Sequence, residues 1–94
     1  MRIALSVEYN GANYFGWQKQ KIHKEKTIQY YIDKAISKIA DEKISTICAG
    51  RTDTGVHAFS QIVHFDTLKK RLDYKWLNGI NSNLPKDVMV KKIY

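Results

Sequence analysis

The sequence predicts an α+β fold in which two helices cover one face of a four-stranded antiparallel sheet. Three observations lead to this prediction. Apolar–polar alternation marks four segments, apolar residues at helical spacing mark two others, and their order along the chain is βαββαβ. The 94 residues, 44% of them hydrophobic, are enough for one domain with a small core, which we predict to span residues 1–94.

The first strand is predicted over residues 2–9, where apolar residues occupy alternate positions. Four of them share one face: Ile3, Leu5, Val7 and Tyr9. The Asn10-Gly11 pair that follows is typical of a tight turn and ends the strand. A long connection then runs to residue 26, aromatic at first and basic later.

The first helix is predicted from Thr27, a plausible N-cap, to about Ala40. Its apolar residues recur at helical spacing: Ile28, Tyr31, Ile32, Ala35, Ile36 and Ile39. Its polar residues are expected to point outward: Asp33, Lys34, Ser37 and Lys38. A turn is expected at Asp41-Glu42-Lys43.

The second half of the chain supplies the other elements. Strands are predicted over 44–49 and 59–66, with Ile62 and His64 on one face of the latter. A helix beginning at Leu68 or Asp73 and ending near Asn81 follows, and Leu84-Pro85 breaks it because proline cannot continue a helix. The last strand is predicted over 88–94, with these residues on alternating faces: Met89, Lys91 and Ile93 against Val88, Val90 and Lys92. This order is ferredoxin-like and leaves one sheet face uncovered.

Charge indicates an anionic partner. The chain carries 16 Lys and Arg against 9 Asp and Glu, a net charge of +7, and nucleic acid is the usual partner of such proteins. The alternative is a soluble basic protein without such a partner. Cys48, His57 and His64 lack the paired spacing of a zinc site, so no metal is expected. The N-terminal apolar run is too short for a signal peptide, which predicts a cytoplasmic protein.

Residues 49–58 form the most informative segment, Ala-Gly-Arg-Thr-Asp-Thr-Gly-Val-His-Ala. In an extended backbone Arg51 and Asp53 would point to the same side, and the guanidinium would favour an ionised carboxylate. The pair suggests chemistry on a nucleic acid. The alternative is an ordinary turn, because Thr-Asp-Thr-Gly is also a common turn sequence. His57 could be a general base, although a structural or RNA-contacting role suits it better.

The connection after the first strand is a second candidate site, because aromatic rings stack on bases and lysines contact phosphates. The candidate RNA-binding residues are here and among the histidines: Trp17, Gln18, Lys19, Lys21, Lys24, His57 and His64. For Trp17, packing in the core is an equally open interpretation. RNA-recognition modules with the same element order carry a signature in the third strand, and its basic-Gly-aromatic start is missing here.

These residues resemble the tRNA pseudouridine synthase A family. The resemblance is most specific at residues 50–58, Gly-Arg-Thr-Asp-x-Gly-Val-His-Ala, and extends along the whole chain. The other matching pieces are Tyr9-x-Gly11, Tyr14, Gly16-Trp17-Gln18-x-Gln20, Thr27-Ile28-Gln29, Gln61-x-Val63-His64-Phe65 and Asn78-x-x-Asn81-x-x-Leu84-Pro85. Asn10 and Thr54 depart from common family residues. The larger departure is length, because such enzymes contain two similar domains and this sequence matches the first.

The resemblance implies isomerisation of uridine to pseudouridine in the anticodon stem and loop of tRNA. Asp53 would be the nucleophile or general base, and Arg51 would pair with it and support base flipping. The full-length enzyme would be a homodimer without a cofactor, and the isolated domain would be a poor catalyst. Two alternatives stay open: a small basic RNA-binding module without catalysis, and a structural fragment that dimerises through its open sheet face.

Overall fold

A computed structural model of the chain describes residues 1–14, 17, 27–48 and 58–94. Its elements in chain order are β1 Arg2–Tyr9, α1 Ile28–Ala40, β2 Ile47–Cys48, β3 Ala58–Asp66, α2 Asp73–Ser82 and β4 Val88–Ile93. The strands form one sheet in the order β2-β3-β1-β4, and every neighbouring pair is antiparallel. This arrangement confirms the predicted ferredoxin-like fold.

The core lies between one sheet face and both helices. β1 contributes its predicted apolar face, and Leu5 and Val7 within it are completely buried. Val63 on β3 pairs with Leu5 and is equally buried. The two helices add the following buried residues to the same cluster: Ile28, Ile32, Ala35, Ile36, Ala40, Trp76 and Ile80. Burial of alternate strand residues and of one stripe on each helix provides the main driving force for folding.

Both predicted ends of α1 are confirmed. The hydroxyl of Thr27 accepts a hydrogen bond from the backbone N–H of Tyr30, as expected of an N-cap. At the other end Asp41 adopts the left-handed conformation, with a φ of 54°, and its N–H bonds the carbonyl of Ser37. Aspartate tolerates this conformation better than most residues, so the chain reverses here without a glycine.

The helices approach each other closely at Gly79 of α2. A Cβ atom built on Gly79 would lie 2.9 Å from Cδ1 of Ile39 on α1, closer than real Cβ contacts allow. Glycine therefore permits the observed distance between the helices. α2 begins at Asp73, the later of the two predicted starts, and ends at Ser82.

β2 begins later than the predicted strand over 44–49. Among the described residues, Ile47 and Cys48 pair with β3, opposite His64 and Val63. The physical reason is competition for the backbone of the preceding residues, because side chains of α1 bind the N–H and C=O groups of Ile44 and Thr46. The predicted extended segment is present, but helix side chains replace part of the ladder.

β4 departs from the predicted simple alternation. Its register against β1 shifts between Ser6 and Val7, so that Val90 pairs with Val7 and Lys92 pairs with Ser6. Lys92 was predicted on the face of Val88 and Val90, but the shift carries it to the opposite face, and Ile93 packs against the core. A β-bulge of this kind exchanges the faces of all later residues.

Both backbone polar groups of Val90 are bound by one side chain of α2. The side-chain amide of Asn81 donates to the carbonyl of Val90 at 2.9 Å, and its oxygen accepts the N–H of Val90 at 2.8 Å. A single side chain therefore satisfies both groups of a residue on an edge strand.

The second sheet face has no helix over it among the described residues. Ser6 and Ser60 are joined there by a hydrogen bond of 2.7 Å between their hydroxyls. Ile62 is 39% exposed on this face, which it shares with His64 as the sequence predicts. At one end of the sheet Arg2 forms an exposed ion pair with Asp66, with an Nε–Oδ1 distance of 3.0 Å. The guanidinium holds the pKa of Asp66 below its usual value.

Candidate active site

The segment with Arg51, Asp53 and His57 lies outside the described residues, but both of its ends are described. β2 ends at Cys48, and β3 begins at Ala58. Because β2 and β3 are antiparallel neighbours, residues 49–57 connect two adjacent strands. The arrangement of the candidate catalytic residues stays a prediction. The structure does describe the hydrogen bonds between α1 and the residues that lead into their segment.

Thr46, immediately before β2, is bound on three polar groups by two side chains of α1. Oδ1 of Asp33 accepts the backbone N–H of Thr46 at 3.0 Å and its hydroxyl at 2.6 Å. Nε2 of Gln29 donates to the backbone carbonyl of Thr46 at 3.0 Å. Asp33 was predicted to point outward, and this is wrong: its side chain is buried, because the extended segment before β2 covers it.

A second contact of the same kind lies one turn further along α1. The hydroxyl of Ser37 accepts the backbone N–H of Ile44 at 2.9 Å and lies 3.4 Å from its carbonyl oxygen, to which it donates. Ser37 was also predicted to point outward, but it is half-buried against this segment. One signal in the sequence could have revealed both contacts. Gln29, Asp33 and Ser37 are spaced at i, i+4 and i+8, which places three polar side chains in a row next to the apolar face of the helix.

Trp17 is in the core. Its side chain is 2% exposed, and its ring centroid lies 6.3 Å from that of Tyr9. The backbone N–H of Gln29 bonds the carbonyl of Trp17 at 2.8 Å, which ties this residue to the start of α1. This burial favours the core interpretation of Trp17 over base stacking. Its predicted neighbours in RNA binding lie outside the described residues: Gln18, Lys19, Lys21 and Lys24.

His64 lies on the uncovered face of the sheet. It is the cross-strand partner of Ala4 on β1 and of Ile47 on β2, and it is half-buried. The imidazole is therefore on the side of the sheet that the helices leave accessible. Its contact with RNA stays a prediction, and this position is compatible with it.

Tyr14 and Asp87 form a contact that sequence reasoning missed. The Tyr14 hydroxyl donates a short hydrogen bond to the Asp87 carboxylate, and the Asp87 carbonyl accepts the backbone N–H of Asn10 at 2.9 Å. The Tyr14 ring also lies edge-on to that of Tyr31, with centroids 5.8 Å apart. Burial, and then the bond to Asp87, raise the pKa of the Tyr14 phenol well above its ordinary value. These contacts join the end of β1 to the turn before β4.

The Tyr14 contact predicts a stability that depends on pH. The pKa of Tyr14 is higher in the folded than in the unfolded chain. Its contribution to the free energy of unfolding is therefore complete below about pH 10 and is lost as the pH rises further. Replacement by phenylalanine removes this dependence. We expect urea unfolding to give a higher free energy of unfolding for the wild type than for Tyr14→Phe at pH 8, and a smaller difference at pH 11. A difference that is the same at both pH values would contradict the raised pKa of Tyr14.

Among the described residues, no group of three or more His, Cys, Asp or Glu side chains could hold a metal ion. No helix within residues 1–14, 17, 27–48 and 58–94 is long and apolar enough to cross a membrane.

The described geometry defines a class of protein. It is a ferredoxin-like domain in which the segment containing Arg51 and Asp53 connects two adjacent strands of the sheet. The family model of tRNA pseudouridine synthases matches residues 5–94. The chain therefore belongs to the tRNA pseudouridine synthase family, as the motifs in the sequence indicate.

Similar proteins agree with this assignment. The chain is 58% identical over 90 residues to tRNA pseudouridine synthase A of Colwellia psychrerythraea, covering 96% of this chain and 34% of that protein. It is 56% identical over 92 residues to the protein of the same name from Legionella pneumophila strain Lens, and 50% over 91 residues to that of Vibrio cholerae; both alignments cover 97% of this chain and 34% of the relative. The chain thus spans about a third of the length of the relatives it matches.

Proposed function

We propose that this chain is the N-terminal catalytic domain, residues 1–94, of an enzyme that isomerises uridine to pseudouridine in the anticodon stem and loop of tRNA. The observation that carries the proposal is the family match over residues 5–94, which includes the Arg-Thr-Asp segment between β2 and β3. The relatives are named tRNA pseudouridine synthase A, which supports tRNA as the substrate.

Asp53 is the proposed catalytic residue. Its carboxylate attacks the anomeric carbon of the ribose or abstracts a proton from the sugar. The bond between N1 and C1′ breaks and the uracil turns. A bond between C5 and C1′ then forms; it displaces the Asp53 carboxylate from C1′, or, if Asp53 took a proton from the sugar, that proton returns to the sugar. C5 then loses its proton to solvent and N1 gains one, so the product is an isomer and no redox partner is required.

Arg51 is the proposed partner of Asp53. Its guanidinium favours the ionised carboxylate, and it contacts the RNA backbone or fills the space that the target nucleotide leaves. The nucleotide has to leave the helical stack to reach a carboxylate, so base flipping is part of the proposal. The proposed RNA contacts are side chains of the basic connection and two histidines: Gln18, Lys19, Lys21, Lys24, His57 and His64. Trp17 instead supports this surface from the core.

The proposal extends to the whole protein. We expect a cytoplasmic homodimer that binds tRNA and uses no cofactor. We also expect residues 1–94 alone to be a poor catalyst, since the substrate cleft of a protein three times as long would include groups from its other parts.

The test is tritium release from tRNA labelled at C5 of uridine, because the C5 proton is lost only when the new carbon–carbon bond forms. We expect the full-length protein to release tritium from the anticodon stem and loop. Binding that weakens with salt, without tritium release, would contradict the enzyme and favour an RNA-binding module.

A further inference from the structure

The start of the segment with Asp53 is paired with the sheet at β2. Among the described residues, this pairing consists of Ile47 opposite His64 and Cys48 opposite Val63. Cys48 is the last described residue before residues 49–57. Bonds to the chain just before a short edge strand add support to its position.

The hydrogen bonds from Gln29 and Asp33 to Thr46 supply that support. They bind the N–H, the C=O and the hydroxyl of one residue, two positions before Cys48. Asp33 is 3% exposed and Thr46 is 4% exposed, so water competes poorly for these bonds. Because the two side chains are one turn apart on a rigid helix, they define both the position and the orientation of the Thr46 peptide.

Gln29 also connects this site to the other candidate segment. Its backbone N–H bonds the carbonyl of Trp17, the residue before the basic connection 18–26, while its side chain bonds Thr46. One turn of α1 therefore holds the starts of both segments that carry the proposed catalytic and RNA-binding residues.

We propose that Gln29 and Asp33 are positioning residues, which place the Asp53 segment for catalysis by holding Thr46. This inference rests on the proposed function. Neither side chain is assigned a contact with RNA; each acts through the backbone that leads to Asp53. A displacement of about 1 Å at a catalytic group can lower a rate roughly 100-fold, so the loss of these bonds has a measurable catalytic consequence.

The experiment compares Asp33→Ala and Gln29→Leu with Ser37→Ala in the full-length protein. Ser37 is a matched control, because it makes the same kind of contact on the same helix but holds Ile44, further from the segment. We measure the single-turnover rate of tritium release, the Kd for tRNA and the melting temperature. All rates are taken at a temperature where every variant is folded.

We expect Asp33→Ala to lower the single-turnover rate by about 10–100-fold, with the Kd for tRNA changed no more than about twofold. Gln29→Leu is also expected to lower the single-turnover rate. Ser37→Ala lowers the melting temperature but leaves the rate unchanged. Asp33→Asn, which keeps the size of the side chain and an acceptor oxygen, recovers most of the lost rate.

Two results would overturn the inference: a wild-type rate in folded Asp33→Ala, or an equal loss of rate in Ser37→Ala. If Asp33→Ala does not fold, Gln29→Leu takes its place. A wild-type rate in folded Gln29→Leu, or an equal loss of rate in Ser37→Ala, would then overturn the inference. A wild-type protein that binds tRNA without releasing tritium contradicts the proposed function instead, so the two failures are distinguishable.

Discussion

Asp53→Ala in the full-length protein is expected to lower the rate of pseudouridine formation by about 100-fold or more. A general base alone contributes 100-fold to 10,000-fold to a rate, and a nucleophile is needed for the reaction itself. The Kd for tRNA is expected to change little, because basic side chains supply most of the affinity for the phosphate backbone. Tritium release and filter binding on the same preparation measure the two quantities.

Asp66→Asn is the matched control for charge in this experiment. Asp66 lies at the opposite end of β3 from Ala58, its side chain is exposed, and its partner Arg2 is exposed too. The substitution removes one negative charge, as Asp53→Ala does, but far from the proposed site. We expect Asp66→Asn to keep the wild-type rate. Normal turnover by Asp53→Ala would end the catalytic assignment, whatever the control shows.

Trp76→Ala is expected to cost about 3–5 kcal/mol of unfolding free energy, one of the largest stability effects that the described core predicts. Trp76 is 1% exposed on α2, and its ring lies edge-on to that of Phe65 on β3, with centroids 5.7 Å apart. Its removal leaves a cavity between helix and sheet. A small domain has about 5–15 kcal/mol of stability in total, so this substitution removes a large part of the free energy of unfolding.

The matched control lies two residues earlier on the same helix. Tyr74 is 58% exposed, so Tyr74→Ala should change stability by no more than about 0.5 kcal/mol. Urea unfolding followed by circular dichroism measures both variants. Trp76→Phe should cost much less than Trp76→Ala, because it keeps an aromatic ring and removes an indole N–H that has no hydrogen-bond partner among the described residues. Equal losses in Tyr74→Ala and Trp76→Ala would contradict the described packing.

The parts of the fold that were predicted correctly depend on local signals. β1 was predicted over residues 2–9 because alternation of apolar and polar residues is sufficient to identify a half-buried strand, and Arg2–Tyr9 is observed. Thr27 was predicted as an N-cap because its hydroxyl can bind a free N–H nearby in sequence. Both features are decided within a few residues of the chain.

The parts that were missed depend on contacts between elements. Asp33 was predicted outward from its charge, but the segment that covers it lies thirteen residues later, and the helical pattern contains no information about it. The bulge that moves Lys92 to the other face is likewise a property of the pairing with β1. For the candidate site, the Arg51–Asp53 spacing and the family resemblance both predict Asp53 as the catalytic residue, whereas the bonds of Gln29 and Asp33 to Thr46 follow only from the described geometry.

Asn81 has a consequence for association with other chains. β4 is an outer strand of the sheet, and such strands can recruit a foreign strand through their free peptide groups. The side-chain amide of Asn81 offers Val90 one donor and one acceptor, as the peptide group of a neighbouring strand would. The N–H and C=O of Val90 are therefore already hydrogen-bonded. A foreign strand can therefore pair at Val90 only if the Asn81 amide leaves these two groups.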